Sequence, residues 1–205
     1  MATNTAAKSP TQFTTPGAVR LSYAHLFEPY AMEEGKEKKY STVCLVPKKD
    51  KATIAVLTAA VEAAIAIGIP GKWNGKRPIP AKLKLPLHDG DVDKADDPNY
   101  AGMMYFTCSS SNPPGIAEKD ETQGVLVKVT DKQKVYSGCW CRVSANAFPF
   151  NSNGSTGVAF GLNNVLFKKD DTPFGGGTRI DDDFADELGN DGSSEAEDPN
   201  YDPEA

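Results

Sequence analysis

The chain has 205 residues, of which 39% are hydrophobic and 24% charged, with 18 Gly and 15 Pro. This apolar share can bury a core, and the many turn-forming residues favour a β-containing fold over a helical bundle. No run approaches about 18 consecutive apolar residues, so we expect no transmembrane helix and no membrane association, and the polar N-terminus predicts no secretory signal.

The formal net charge of −6 averages two unlike regions. Residues 180–205 contain 11 acidic residues and no Lys or Arg, whereas residues 1–179 hold all 22 basic residues and 17 acidic ones. An acidic segment with few large apolar side chains cannot offset the entropy of ordering, so we predict disorder from about Asp181 onward. The segment is either a solubilising tail or a tethered anion that competes with a polyanionic ligand and recruits partners.

The first half of the chain predicts a flexible start, two strands and one helix. Residues 1–16 are Thr-, Ala- and Pro-rich, which is typical of a flexible terminus. Residues 18–26 alternate in polarity, which indicates a strand, and residues 40–46 have the composition of a strand buried on both faces. Residues 50–67 repeat apolar side chains at helical spacing, and Gly68 and Pro70 end that helix.

Residues 70–86 form a basic, Gly- and Pro-rich loop around a tryptophan. Its cations are Lys72, Lys76, Arg77, Lys82 and Lys84, and it contains no acidic residue. Trp73 either anchors the loop against the body or offers an aromatic platform beside cations that neutralise phosphates.

Residues 88–97 are acidic and turn-like. Asp89, Asp91 and Asp93 alternate as calcium ligands do, but the glycine and the distant glutamate of an EF-hand are missing. A two-metal nuclease site on these carboxylates is the alternative to a binding protein.

The second half predicts strands at 101–109, 125–130, 134–145 and 157–167, the last with a kink near Asn163. Alternation in the third of these strands divides its side chains between two faces. One face is a core face, and the other carries Tyr136, Trp140, Arg142 and Ser144, with Gly138 leaving open space between the two aromatic rings.

Four cysteines, Cys44, Cys108, Cys139 and Cys141, have no export signal before them, which suggests free thiols. A zinc site is one interpretation, but C-x-C with two isolated cysteines matches the usual spacing poorly. Buried cysteines that act as small apolar residues are the other interpretation.

Sequence motifs of catalysis are missing: there is no phosphate loop, no dinucleotide-binding turn and no nucleophile elbow. We therefore expect neither an enzyme nor a cofactor. Cations and exposed aromatic rings together are what binding of single strands without sequence preference requires. The candidate single-stranded-DNA-binding residues are Lys72, Trp73, Lys76, Arg77, Lys82, Lys84, Tyr105, Tyr136, Trp140, Arg142, Phe148 and Phe150.

An all-β body with one inserted helix fits an OB-like barrel. The segments at residues 20–29, 86–91, 136–139 (Tyr-Ser-Gly-Cys) and 161–165 (Gly-Leu-Asn-Asn-Val) resemble those of a family of tailed-phage single-stranded-DNA-binding proteins. The resemblance implies an OB fold enlarged by insertions at residues 17–179 and an acidic tail at residues 180–205. It further implies sequence-independent coating of single-stranded DNA in phage replication or recombination, in the cytoplasm of the infected bacterium. The implied partners are single-stranded DNA, phage or host replication and recombination proteins that bind the tail, and further copies of the protein on DNA.

Overall fold

The computed structural model describes residues 9–31, 34–152 and 154–175. The described residues up to Phe174 form one compact unit. The predicted disorder from Asp181 and the predicted domain boundary at 179 lie outside the described residues.

Ten strands are present in the described part of the chain. They are β1 (Gln12–Thr14), β2 (Val19–Tyr30), β3 (Lys39–Pro47), β4 (Leu83–Lys84), β5 (Leu87–Asp89), β6 (Met103–Ser110), β7 (Gly115–Lys119), β8 (Leu126–Lys128), β9 (Trp140–Ser152) and β10 (Ser155–Lys169). The helices are α1 (Lys51–Gly68) and a single turn, α2 (Gly90–Asp93), with 3₁₀ turns at Pro80–Lys82 and Pro98–Tyr100.

Five long strands close into a barrel in the order β9, β2, β3, β6, β10 and back to β9. The neighbours are antiparallel except β6 and β10, which run parallel. This is the five-stranded barrel of the OB fold, so the predicted fold class is confirmed. The short strands β4 and β5 and the β7–β8 hairpin are the insertions that enlarge it.

The prediction of a flexible N-terminus through residue 16 is wrong for the described residues. Strand β1 pairs with β9, and Phe13 is 4% exposed. Its ring meets Phe160 edge-on with centroids 4.9 Å apart and Phe106 at 6.3 Å, so the N-terminal segment supplies part of the barrel core. The sequence did not indicate β1 because Phe13 is its one apolar residue, and a single apolar residue among polar neighbours shows no period.

Helix α1 matches its prediction within a residue at each end. Asp50 caps it by accepting a hydrogen bond from the Thr53 backbone N–H. By length and by its mean hydropathy of 1.6 this helix could cross a membrane, contrary to the expectation from the sequence. Its apolar side, including Leu57, Ala64 and Ile65, is buried, and the helix packs mainly on β9, as a helix that covers a barrel does.

The predicted strand at 134–145 begins six residues late, at Trp140. Gly138 has φ +120°, in a turn that takes Tyr136 off the strand. The two aromatic residues therefore do not share one strand face across an open gap. The kink predicted near Asn163 is confirmed, because the β9–β10 register shifts between Leu162 and Asn164.

The four cysteines lie in the barrel core, as the apolar interpretation expects. The Sγ atoms of Cys139 and Cys141 are 3.6 Å apart, and those of Cys44 and Cys108 are 4.0 Å apart. Burial raises the pKa of the Cys44 thiol well above its usual range, so this sulfur stays protonated and packs as an apolar group.

Candidate nucleic-acid interface

One row of paired residues crosses the outside of the barrel through all five strands. Register joins Asn146 to Gly161, Gly161 to Ser109, Ser109 to Ser41 and Ser41 to His25. Four strand spacings of ~4.8 Å make this transverse row about 19 Å long. Its middle consists of glycine and serine, so it forms a shallow floor on which an extended chain can lie.

A groove of about 600 Å³ opens at the β2 end of the transverse row. Its walls carry one cation, Lys94, and five aromatic rings, those of Tyr23, His25, Tyr30, Tyr100 and Tyr105. We call it the tyrosine groove. Tyr23 is 62% exposed and Tyr30 51%, so large apolar ring surface faces solvent here. The imidazole of His25 stacks on Tyr30 with centroids 4.3 Å apart and planes 12° apart.

An irregularity in β2 directs Tyr23 outward. The β2–β3 register shifts between Ser22 and His25, and Tyr23 has φ +48°. A left-handed backbone at a bulky residue is uncommon and costs free energy. Because bulges re-aim side chains, this one places the Tyr23 ring at the mouth of the groove rather than on the pleat of the strand.

Tyr105, predicted from the sequence as a contact, lies at the far wall of the tyrosine groove. His88 stacks on it with centroids 5.0 Å apart, and Tyr100 meets it edge-on. Burial raises the pKa of the Tyr105 hydroxyl, as does the neighbouring Asp93, so the ring stays neutral and presents a π face.

Two carboxylates of the acidic segment that suggested a metal site are neutralised from within the chain. The Lys48 ammonium lies 2.5 Å from Asp89 Oδ1 and 2.6 Å from Asp91 Oδ2, where a cation between these carboxylates would lie. Lys48 and the Gly102 backbone N–H hold the pKa of Asp91 below its usual range. Within the described ranges, no three His, Cys, Asp or Glu residues are placed to share an ion. This geometry does not favour the nuclease alternative.

At the β9 end of the transverse row, Phe148 and Phe150 extend from the outward face of β9. Phe148 is 45% exposed, and a Cβ added to Gly161 would lie 3.5 Å from its ring. The half-buried Phe150 ring lies against Gly157 on β10, where an added Cβ would be 2.8 Å from the ring.

The basic loop lies beside these two phenylalanines. The Trp73 indole N–H donates to the Phe150 carbonyl at 3.1 Å, and the Asn151 amide donates to the Lys72 carbonyl. The five predicted cations Lys72, Lys76, Arg77, Lys82 and Lys84 are all exposed. Their charge therefore faces solvent on the loop that Phe150 and Asn151 hold in place.

Trp73 itself is 6% exposed and is not a platform for bases in this structure. Its ring packs on Gly68 at the end of α1, where a Cβ would lie only 2.8 Å from the indole. The structure thus supports the anchoring interpretation of Trp73, because burial of the indole fixes the loop that carries the cations.

Tyr136 and Trp140 lie away from the groove, under the segment Asp170–Phe174, which we call the strap. The Trp140 indole N–H donates to Asp171 Oδ2 at 2.7 Å, and the Tyr136 hydroxyl donates to the Asp171 carbonyl at 2.8 Å. The Trp140 hydrogen bond is the main cause that lowers the pKa of Asp171. The polar groups of both rings therefore hold the strap.

Gly138 lets the strap approach closely, since a Cβ there would lie 2.4 Å from the Thr172 carbonyl oxygen. Arg20 completes the contact: its Nη2 donates to the same oxygen, and its guanidinium lies 4.2 Å from the Phe174 ring centroid. The space that the sequence suggested beside Gly138 is thus filled by the strap.

Arg142 extends from the outward face of β9 on the side of the row opposite to Phe148. Its Nε donates to the Thr15 carbonyl at 2.8 Å, which fixes the guanidinium plane.

Tyr23, His25 and Tyr30 were missed as candidates by the sequence reasoning. They belong to a predicted strand or follow it, and nothing in the sequence shows that the strand bulges. The available signal was two tyrosines and a histidine within eight residues of one strand, a density of rings that one core face rarely needs.

Comparisons with known proteins agree with this fold. The family described as "Enterobacter phage Enc34, ssDNA-binding protein" matches residues 13–197. The solved structure of the single-stranded DNA-binding protein from bacteriophage Enc34 in complex with ssDNA is 27% identical, with a TM-score of 0.66 over 83% of this chain and 97% of that chain.

Two further relatives extend the comparison. Protein p50 of Acyrthosiphon pisum secondary endosymbiont phage 1 is 27% identical over 166 residues, which are 78% of this chain and 84% of that protein. The single-stranded DNA binding protein gp2.5 of bacteriophage T7 is 20% identical, with a TM-score of 0.52 over 89% of this chain and 97% of that chain, a likeness of fold. The matched family and its solved Enc34 member are described as DNA-binding proteins, in agreement with the expectation that the chain is not an enzyme.

Proposed function

The chain belongs to the family of the single-stranded-DNA-binding protein of Enterobacter phage Enc34, and from that premise we propose that it binds single-stranded DNA across the outside of its barrel without reading base sequence. The strand lies on the transverse row, with bases in the tyrosine groove at one end and phosphates beside the basic loop at the other. The solved structure of the Enc34 relative is in complex with ssDNA, which supports this ligand class.

The observation that carries the proposal is the tyrosine groove. Soluble surfaces rarely expose several aromatic rings in one concavity without a ligand to cover them. Rings from Tyr23, Tyr30 and Tyr105 line one groove together with Lys94, and the Tyr105 hydroxyl at its wall donates to Asp93 Oδ2 at 3.4 Å. Any base has a π face, so stacking on such rings contributes about 1–3 kcal/mol per base regardless of sequence.

The shape of the surface favours single strands over duplex. Most duplex readers place a recognition helix with cations in the major groove. Helix α1 carries Lys51 at its start and otherwise mainly Ala, Ile and Val, and its one acidic residue, Glu62, lies 3.9 Å from Arg77. A shallow floor with rings at its edges suits bases that are already unstacked.

The cellular role follows from binding without sequence preference. A protein that covers unpaired strands protects them and shifts the duplex equilibrium toward melting, which serves phage DNA replication and recombination in the cytoplasm of the infected bacterium. The acidic residues 180–205 supply 11 negative charges. This charge competes with DNA for the basic body and offers a docking segment to replication or recombination partners.

A binding titration tests the proposal. Fluorescence anisotropy of labelled oligo-dT should show saturable binding whose affinity falls steeply with salt, and a mixed-sequence strand should bind similarly. The double variant Tyr30→Ala/Tyr105→Ala should weaken binding at every salt concentration. The matched control Tyr40→Ala removes a tyrosine that does not line the groove. Equal loss in both variants, or no binding by the wild type at low salt, contradicts the proposal.

A further inference from the structure

A second groove, of about 490 Å³, lies between the β7–β8 hairpin and the outward faces of β9 and β10. We call it the hairpin groove. Its floor is apolar, from Ile116, Leu126 and Leu166, and its polar groups are Thr14, Lys128, Arg142, Ser144 and Asn164. The described residues that line it include no carboxylate and no aromatic ring.

Among the described residues, the two cations of this groove have no carboxylate partner. Three lysines near it do: Lys119 pairs with Glu121 at 2.7 Å, Lys134 with Glu118 at 3.1 Å, and Lys132 with Glu28. Among the described residues, neither Lys128 nor Arg142 forms an ion pair. The two positive charges of the groove are therefore available to an anion from outside.

The hairpin groove is continuous with the transverse row. Along β9 and β10, the row pair Asn146–Gly161 is followed by Ser144 opposite Asn164 and then by Arg142 opposite Leu166. At ~3.3 Å per residue, Arg142 lies about 13 Å along β9 from the row.

Amide groups fill the interval between the row and the cations. Asn163 Nδ2 donates to Asn146 Oδ1 at 2.8 Å, and Asn164 Nδ2 lies 3.4 Å from Ser144 Oγ. A strand that reaches the β9 end of the row can turn there and follow β9 over polar, uncharged groups as far as Arg142 and Lys128.

We infer that the hairpin groove is a second subsite for the same single strand of DNA, and that it holds the phosphodiester backbone rather than the bases. The inference rests on the proposed function and extends it. Cations and amides are ligands for phosphate, whereas the lack of rings removes the means of stacking. Binding here lengthens the segment of DNA that one protein molecule covers.

Oligonucleotides of different length test the subsite. Site sizes on OB folds run from about 4 to about 16 nucleotides. A short oligo-dT near the lower limit should fill the transverse row alone, and a long one near the upper limit should also reach the hairpin groove. We expect Lys128→Ala and Lys128→Glu to bind the short oligonucleotide as the wild type does. For the long one, Lys128→Ala should lower the salt slope by about 0.7, the value for one phosphate contact on a single strand. Lys119→Ala removes a paired lysine of the same hairpin and is the matched control.

The outcomes separate this inference from the proposed function. Loss confined to the long oligonucleotide and to the Lys128 variants supports the subsite. Unchanged binding of the long oligonucleotide by Lys128→Glu, or an equal loss in Lys119→Ala, overturns the subsite while short-strand binding still supports the function. A wild type that binds neither length overturns both.

Discussion

Replacement of Tyr23 by glycine should move DNA affinity and protein stability in opposite directions. The Tyr23 ring is 62% exposed, so its removal costs little buried area, and its backbone has φ +48°. A left-handed conformation costs an L-residue roughly 1–2 kcal/mol. Glycine relieves that strain but adds about 0.4–1 kcal/mol of unfolded-state entropy, so the net effect on the free energy of unfolding is a gain of about 0 to 1.6 kcal/mol relative to alanine.

The effect on binding is larger and of opposite sign. A stacking contact worth about 1–3 kcal/mol corresponds to a loss of about 5- to 150-fold in the affinity for oligo-dT. Tyr23→Gly and Tyr23→Ala should lose the same factor, because both remove the ring. Tyr23→Phe keeps the π face and should bind within about twofold of the wild type, since stacking does not need the hydroxyl.

Two measurements on the same four proteins check the reasoning. Anisotropy titrations give the dissociation constants, and urea unfolding gives the free energy of unfolding. Affinity of Tyr23→Gly within twofold of the wild type would refute the assignment of this ring to the interface. A Tyr23→Gly protein less stable than Tyr23→Ala would refute the argument from backbone strain.

The remaining predictions concern the loop, the strap and the tail. Lys82→Ala should reduce the salt slope of oligo-dT binding by about 0.7, so its loss of affinity is largest at low salt and shrinks as salt rises, and an unchanged slope would remove this lysine from the interface. Trp73→Ala should lower the free energy of unfolding by about 3–5 kcal/mol in urea unfolding, because it empties a buried site; a value under 1 kcal/mol would contradict the anchoring role. Asp171 has a lowered pKa, so its contribution to stability is present above about pH 4 and is lost as the pH falls further. In thermal unfolding between about pH 5 and 3, the melting temperature of Asp171→Asn should therefore depend less on pH than that of the wild type. Parallel curves for the two proteins would contradict this. Deletion of residues 180–205 should tighten binding of oligo-dT at low salt by removing 11 competing negative charges, and weaker binding would refute the competition.

Local patterns in the sequence were sufficient for the elements that are long and periodic. The helix at 50–67 and the strand at 157–167 were predicted closely because each repeats its apolar residues with one clear period, and the strand at 40–46 because of its continuous apolar, β-branched composition. The exposed cations of residues 72–84 were identifiable for a similar reason: a run of lysines without acidic neighbours has few places in a fold except the surface.

Contacts between residues distant in sequence decided the rest. Trp73 looked like an exposed ring in a loop, yet Gly68 and the Phe150 carbonyl provide a buried site for it. Tyr136 and Trp140 looked like a stacking pair, yet Asp171, 31 residues beyond Trp140, takes the indole hydrogen bond.

The sequence by itself therefore determined the helix, the long periodic strands and the basic loop, because such elements follow from the spacing of apolar residues within about ten positions. Only the tertiary structure decided where the interface lies. The tyrosine groove requires a bulge at Tyr23 and the closure of β2, β3 and β6 side by side, and this closure depends on register between strands up to about 70 residues apart.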